Sequence, residues 1–366
     1  MHTGPSTDRH RTVLIAPDSF KGSLTSVEVA RALAEGWRRG RPGDEVTLCP
    51  LADGGEGTLA AIEASGGWEW QTASVQDPLR RPIDARWLIS ADRERAVVEM
   101  AEASGLSKVA AAERDPIGAT SVGTGELLGA AIDAGVHHVT LGIGGSATTD
   151  GGRGLLEGLM DGGRRLDGID LEVACDVSNP LLGPIGAAAT YGPQKGATPD
   201  DVEALDARNR AWADELEARE GRRERDTPGA GAAGGVGFAL LAAQGRFRSF
   251  ALRPGVELLM DETGFSARLG RADLVITGEG RIDAQTGFGK TALGVAKRAA
   301  AAGVPCIAVG GGVEVDGIAA LAAVGAIAVP VVERPQSVDE AMAAGTAPLE
   351  RCGERIARLV SGSLAD

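Results

Sequence analysis

"HVTLGIGGSATTDGG", His138–Gly152, sets a short strand-like run against eleven residues of nearly bare backbone. "HVTL" is compact and apolar at alternate positions. The remainder holds five glycines, one serine, two threonines and one acid, Asp150. A strand that empties into glycine and is followed by another periodic segment is the unit of a parallel α/β sheet, whose ligands gather at the carboxyl ends of the strands. Glycine lets main-chain N–H groups turn inward as a nest for anionic oxygens.

Both ends of the chain repeat this alternation. "TVLIAP", Thr12–Pro17, reads as a strand and "DSFKGS" as a polar loop. Thr25 and Glu28 then form a capping box before a helix with apolar positions Val27, Ala30, Ala34 and Trp37, closed at Gly40–Gly43. "EVTLCPL" is the second strand, followed by "ADGGEGT" and another helix. Near the carboxyl end "ADLVIT" is a buried strand, "GEGRIDAQTGFG" a loop, "KTALGVAKRAAAAG" a helix and "VPCIAVGGG" a strand with its loop. The middle differs. "WEWQTASVQDPLRRPIDARWLIS" and "RAVVEMA" read as antiparallel strands, and Pro199–Glu220 as a long polar helix. The fold expected is α/β: a Rossmann-like parallel-sheet domain built from both termini (1–75 and 265–366), with a mixed α/β domain (76–264) inserted and the active site in the cleft between them.

Composition narrows the function. The 366 residues exceed one ordinary core. Glycine numbers 54, about twice the usual share of roughly 7%. A net charge of −14 without a basic run argues against nucleic acid. The apolar stretch 317–332 is interrupted by Gly325 and Pro330, so helix, turn and strand is expected rather than a membrane span. No apolar leader segment precedes the first strand, and Cys49, Cys175, Cys306 and Cys352 are widely spaced, which fits a reducing cytoplasm. The four histidines lie in the leader or just before a strand, so a Ser-His-Asp hydrolase or a histidine metal site has little to draw on.

Lysine placement sharpens the picture. Only five of 37 basic residues are lysines, yet Lys21, Lys195 and Lys290 each adjoin a glycine in the polar loops. A compact ammonium suits a phosphate in a tight pocket. Familiar phosphate motifs fit less well. Gly142-x-Gly144-x-x-Ala147 matches a dinucleotide fingerprint only in form, and "GKT" at Gly289–Thr291 has Ala284 where a P-loop needs glycine. Plainer readings exist for single loops: Asp53, Glu56 and Asp150 could merely cap helices, "GGG" at 310–312 could be a turn, and "GAGAAGG" could serve close packing. Five such loops in one chain outweigh them.

Taken in order, "APDSFKGSLT", "PLADGGEGT", "GIGGSATTDGG", "ACDVSNPLLG", "YGPQKGA", "PGAGAAGG" and "TGEGRIDAQT…GK" closely resemble the bacterial glycerate kinase family over about Val13–Val360. The resemblance implies ATP, Mg²⁺, D-glycerate and usually 2-phosphoglycerate as product. Three departures stand out. Thr149 replaces a usual asparagine, Arg80 a usual glycine, and the stretch between Leu155 and Glu172 is short.

On this reading the γ-phosphate passes in line to a glycerate hydroxyl. Lys21 and Lys290 would contact phosphate or carboxylate, Arg281 would clamp the glycerate carboxylate, and Asp18 or Asp283 would accept the hydroxyl proton. The cofactor-binding set comprises Ser19, Gly22, Ser23, Asp53, Gly54, Gly55, Gly144, Gly145, Ser146, Thr148, Lys195, Gly278, Glu279 and Gly280. Asp150 or Asp176 would hold Mg²⁺. A nicotinamide-dependent hydroxy-acid dehydrogenase and a non-catalytic glycerate or nucleotide sensor are the alternatives. The choice of O2 or O3 and a homo-oligomeric state stay open at this stage.

Overall fold

The computed structural model describes residues 10–284 and 291–361. The chain opens with β1 (Thr12–Ile15), α1 (Ser26–Gly40), β2 (Glu45–Leu48) and α2 (Thr58–Ala64). It continues through β3 (Trp68–Gln76), β4 (Pro82–Ser90), β5 (Arg95–Glu99), α3 (Met100–Ser104), α4 (Val122–Asp133) and β6 (His138–Gly142). Then come α5 (Arg153–Met160), β7 (Asp170–Ala174), α6 (Ala187–Tyr191), α7 (Pro199–Glu220), α8 (Val236–Ala243) and β8 (Ser249–Arg253). The last part holds α9 (Gly255–Glu262), α10 (Phe265–Leu269), β9 (Leu274–Ile282), α11 (Thr291–Ala301), β10 (Cys306–Val313), α12 (Val315–Ala322), β11 (Ile327–Pro330), α13 (Val338–Ala343) and α14 (Ala347–Val360).

Two compact units result. The first takes the described residues up to Ala52, then Ala60–Gly66, and those from Leu259 onward; the second takes Asp53–Leu59 and Gly67–Leu258. Strand β3 pairs along its whole length with β4, from Trp68↔Ser90 to Gln76↔Pro82, so the second unit's sheet starts at Trp68 rather than at residue 76.

The first unit is a five-stranded parallel sheet in the order β11-β10-β9-β1-β2. Counted within the sheet this is the doubly wound order 2-1-3-4-5, whose switch point, and hence the expected ligand crevice, lies between β1 and β9. Its core gathers Val13, Ile15, Leu33, Trp37, Ile276 and Ile356. The capping box at Thr25 and Glu28 starts α1 as expected. The buried face of α1 runs through Val29, Leu33 and Trp37, while Val27 is only half-buried. Gly36 lets α1 meet α14: a Cβ there would fall 1.8 Å from the Glu350 carbonyl oxygen.

Strands β9 and β10 run further than expected. Gly278–Ile282 and Gly310–Gly312, read as loops, are strand residues, with Gly278 opposite Val309 and Arg281 opposite Gly312. Glycine is uncommon in strands unless another backbone comes close. Here a Cβ on Gly311 would lie 2.6 Å from the Gly280 carbonyl oxygen.

The second unit is a six-stranded mixed sheet, β3-β4-β5-β6-β7-β8, antiparallel from β3 to β5 and parallel from β5 to β8. Its central strands are buried apolar runs, as parallel strands covered on both faces require. The core includes Val98, Leu141, Leu171, Leu216 and Phe238.

Candidate active site

In the second unit, the carboxyl ends of β6, β7 and β8 bring three separated stretches together. The Gly144 N–H donates to the Gly54 carbonyl at 3.3 Å. Cβ atoms on Gly142 and Gly144 would fall 2.6 Å from the Gly54 oxygen and 2.5 Å from the Gly55 Cα. Gly54 lies at φ 85°, and a Cβ there would meet the Ala174 methyl at 2.5 Å. Asp176, just beyond β7, accepts from the Gly255 N–H at 2.9 Å, and Asp53 from the Gly55 N–H at 3.1 Å. Asp53, Gly54, Gly55, Gly144, Gly145, Ser146 and Asp176 therefore share one end of one sheet.

The 144–148 segment is held rigidly. Leu106 N–H donates to the Gly145 carbonyl at 2.8 Å, Ala147 N–H to the Ser104 carbonyl at 2.9 Å, and Ser146 bridges to Gly105. Gly145 is exposed at the tip, whereas Thr148 is completely buried and its hydroxyl has no hydrogen-bond partner among the described residues. Its expected donation to a phosphate is therefore not supported. Thr149 is equally buried and its hydroxyl is likewise unpartnered. Gly234 packs beneath this turn, where a Cβ would lie 1.9 Å from the Thr148 carbonyl oxygen.

Lys195, expected among the cofactor-binding groups, is interior. It is 2% exposed, and its Nζ donates to Ser146 Oγ at 2.9 Å and to the Thr148 carbonyl at 2.6 Å. Burial pushes its pKa down to about 7, with Asp150 opposing the shift.

Asp150 is a staple. Its Oδ2 accepts from Ser121 N–H at 2.8 Å, Ser121 Oγ at 2.8 Å and Gly154 N–H at 3.2 Å; its Oδ1 accepts from Gly152 N–H at 3.1 Å. Those bonds tie the start of α4 to the start of α5. The helix-capping reading of Asp150 describes these contacts better than the metal one. Among the described residues, no group of three His, Cys, Asp or Glu side chains could hold a metal ion.

In the first unit, the loop that follows β1 and the end of β9 carry the polar groups at the switch point. Asp18 N–H donates to the Gly278 carbonyl at 2.8 Å, and its carboxylate accepts from Ser19 N–H at 2.6 Å and Thr291 Oγ at 2.5 Å. Gly280 lies against Phe20, and Ser23 donates its hydroxyl to the Phe20 carbonyl at 2.9 Å, closing the turn that carries exposed Lys21 and Gly22. Glu279 is buried in β9. Arg281, expected to clamp the substrate carboxylate, is exposed and engaged by Glu314, with Asp283 at 3.4 Å. Lys290 lies outside the described residues.

Two contributors escaped sequence reasoning. Thr291 was within the discarded "GKT", although its hydroxyl orients Asp18. Glu99, 3% exposed at the end of β5, accepts from the Gly57 and Leu59 N–H groups, both at 3.2 Å, and so fixes the "ADGGEGT" loop from below. An acid closing the apolar run "RAVV" was the available signal.

Comparison with known proteins identifies the family. The sequence model of the glycerate kinase family matches residues 13–167 and 159–361. A glycerate kinase of Halalkalibacterium halodurans is 43% identical over 94% of this chain and 97% of its own. The glycerate 2-kinase of Escherichia coli is 40% identical over 83% and 86%. A solved structure from Salmonella typhimurium LT2, described as glycerate kinase 2, superposes with a TM-score of 0.83 at 38% identity, covering 97% of this chain and 99% of that one. The fold and these relatives define a phosphotransferase. The chain belongs to the glycerate kinase family, and its reaction is ATP-dependent phosphorylation of glycerate.

Proposed function

We propose that the acceptor is O2 of D-glycerate and the product 2-phosphoglycerate. The observation that carries the site assignment is the interleaving of Asp53–Gly55 with Gly142–Gly144, where side chains are excluded and two stretches of bare backbone meet at one strand end. The preference for O2 is supported by the relative named glycerate 2-kinase.

Gly145 and Ser146 offer donors to phosphate oxygens, which gain most where donors are fixed before the reaction, and Gly144 supplies the bare backbone beside them. The exposed carboxylates of Asp176 and Asp53 suit Mg²⁺, a hard cation that prefers carboxylate and phosphate oxygens and keeps several waters. Bound there, Mg²⁺ would neutralise charge on the transferred group. Asp18, oriented by Ser19 and Thr291, accepts the glycerate hydroxyl proton, while Lys21 meets phosphate or carboxylate. Asp283 is the second candidate base. The free thiols fit a reducing cytoplasm.

The test is ADP release from the purified chain with ATP and D-glycerate, with Mg²⁺ and with EDTA, followed by NMR of the product. Magnesium-dependent release with phosphorus coupled to the C2 proton is expected. Coupling to the C3 protons would reject the O2 assignment, and equal release in EDTA would reject the metal.

A further inference from the structure

Lys195 is held where direct contact with a nucleotide explains little. A buried ammonium loses its hydration, and such groups are normally paired with a carboxylate. No salt bridge to Lys195 forms among the described residues, and its two hydrogen-bond partners are the neutral Ser146 hydroxyl and Thr148 carbonyl. A methionine would fill the same space without that cost. The charge therefore calls for a use.

Ser146 supplies it. A hydroxyl has one proton to donate and two lone pairs to accept with. The Lys195 N–H occupies a lone pair of Ser146 Oγ at 2.9 Å, which leaves the serine proton for another acceptor. The backbone on either side is pinned by Leu106 to Gly145 and by Ala147 to Ser104, so only the hydroxyl rotor is undecided. Ser146 retains 9% exposure beside the exposed Gly145. A donor that accepts from an ammonium is also polarised, and hydrogen bonds in such chains strengthen one another.

We propose that Lys195 is a positioning residue that acts through Ser146, aiming and strengthening the serine O–H toward a phosphate oxygen of the bound nucleotide. The proposal rests on the reading of Gly144–Ser146 as the phosphate nest.

A double-mutant cycle tests it: Lys195→Met, Ser146→Ala and the pair, with kcat and KM for ATP measured for each and folding checked by thermal melting. Wild-type turnover is measured first, so failure of the kinase reading would show there and not in the cycle. Each single change should lower kcat by about 10- to 100-fold, with the double variant no worse than the poorer single one. Losses that multiply, or wild-type kcat in Ser146→Ala beside an impaired Lys195→Met, would overturn the proposal. If Lys195→Met melts early, Lys195→Gln replaces it. The amide, still a donor, should outperform Met only while the serine hydroxyl is present. An equal advantage in the Ser146→Ala background would also overturn the proposal.

Discussion

Arg80 stands at φ 61°, in the left-handed region, within the turn that Asp77 closes by accepting the Arg80 N–H at 3.0 Å. A side chain there costs roughly 1–2 kcal/mol relative to glycine, against roughly 0.5–1 kcal/mol of extra unfolded-chain freedom that glycine brings. Its contact with Glu157 is 3.6 Å long and more than half exposed at both ends, so little is lost with it. Arg80→Gly is expected to stabilise the protein by about 0.5–1 kcal/mol, read as a higher urea midpoint; a lower midpoint would show that the guanidinium matters more than the strain. The glycine expected from the family resemblance thus has a backbone reason. Residue types were legible at this scale, but directions were not. Lys195 and Thr148 read as ligands because they sit among glycines; in the structure Gly234 packs against the Thr148 carbonyl and Lys195 reaches inward to Ser146 and Thr148.

At the scale of elements, Glu99 joins the end of β5 to the first turn of α2. Burial pushes its carboxyl up to about 8; the N–H groups of Leu59 and Gly57 oppose the shift, and Glu102 and Glu56 add to it. The folded protein keeps a proton that the unfolded chain releases near 4.5. The stabilisation is therefore complete below about 4.5 and is lost as pH rises through about 8. Denaturant midpoints should fall from pH 6 to pH 9 in the native chain and fall distinctly less in Glu99→Gln. Parallel declines would place the pH dependence elsewhere. Helices were legible here because their signals are local: the capping box at Thr25 starts α1 where read, and α7 spans Pro199–Glu220 as its polar periodicity suggested. The glycine-rich ends of β9 and β10 were not, because only pairing of distant strands makes glycine acceptable in a sheet.

For the whole molecule, packing buries nearly every cysteine. Cys49, Cys306 and Cys352 are buried and Cys175 is half-buried, all as free thiols. Burial raises each of them, Cys306 to about 12. Thiolate is the reactive form, so native labelling with a thiol reagent should modify Cys175 first and the other three only on unfolding. Rapid modification of two or more in the native state would contradict the packing.

The alternation of strands and helices, the glycine loops and the family were written in the sequence, because periodicity, capping and turn chemistry act over a few residues. Tertiary structure alone decided which polar groups stay exposed at the strand ends and which brace the loop from inside. Burial and hydrogen-bond partners come from segments far apart in the chain, as when Lys195 meets Ser146 and Glu99 meets Gly57.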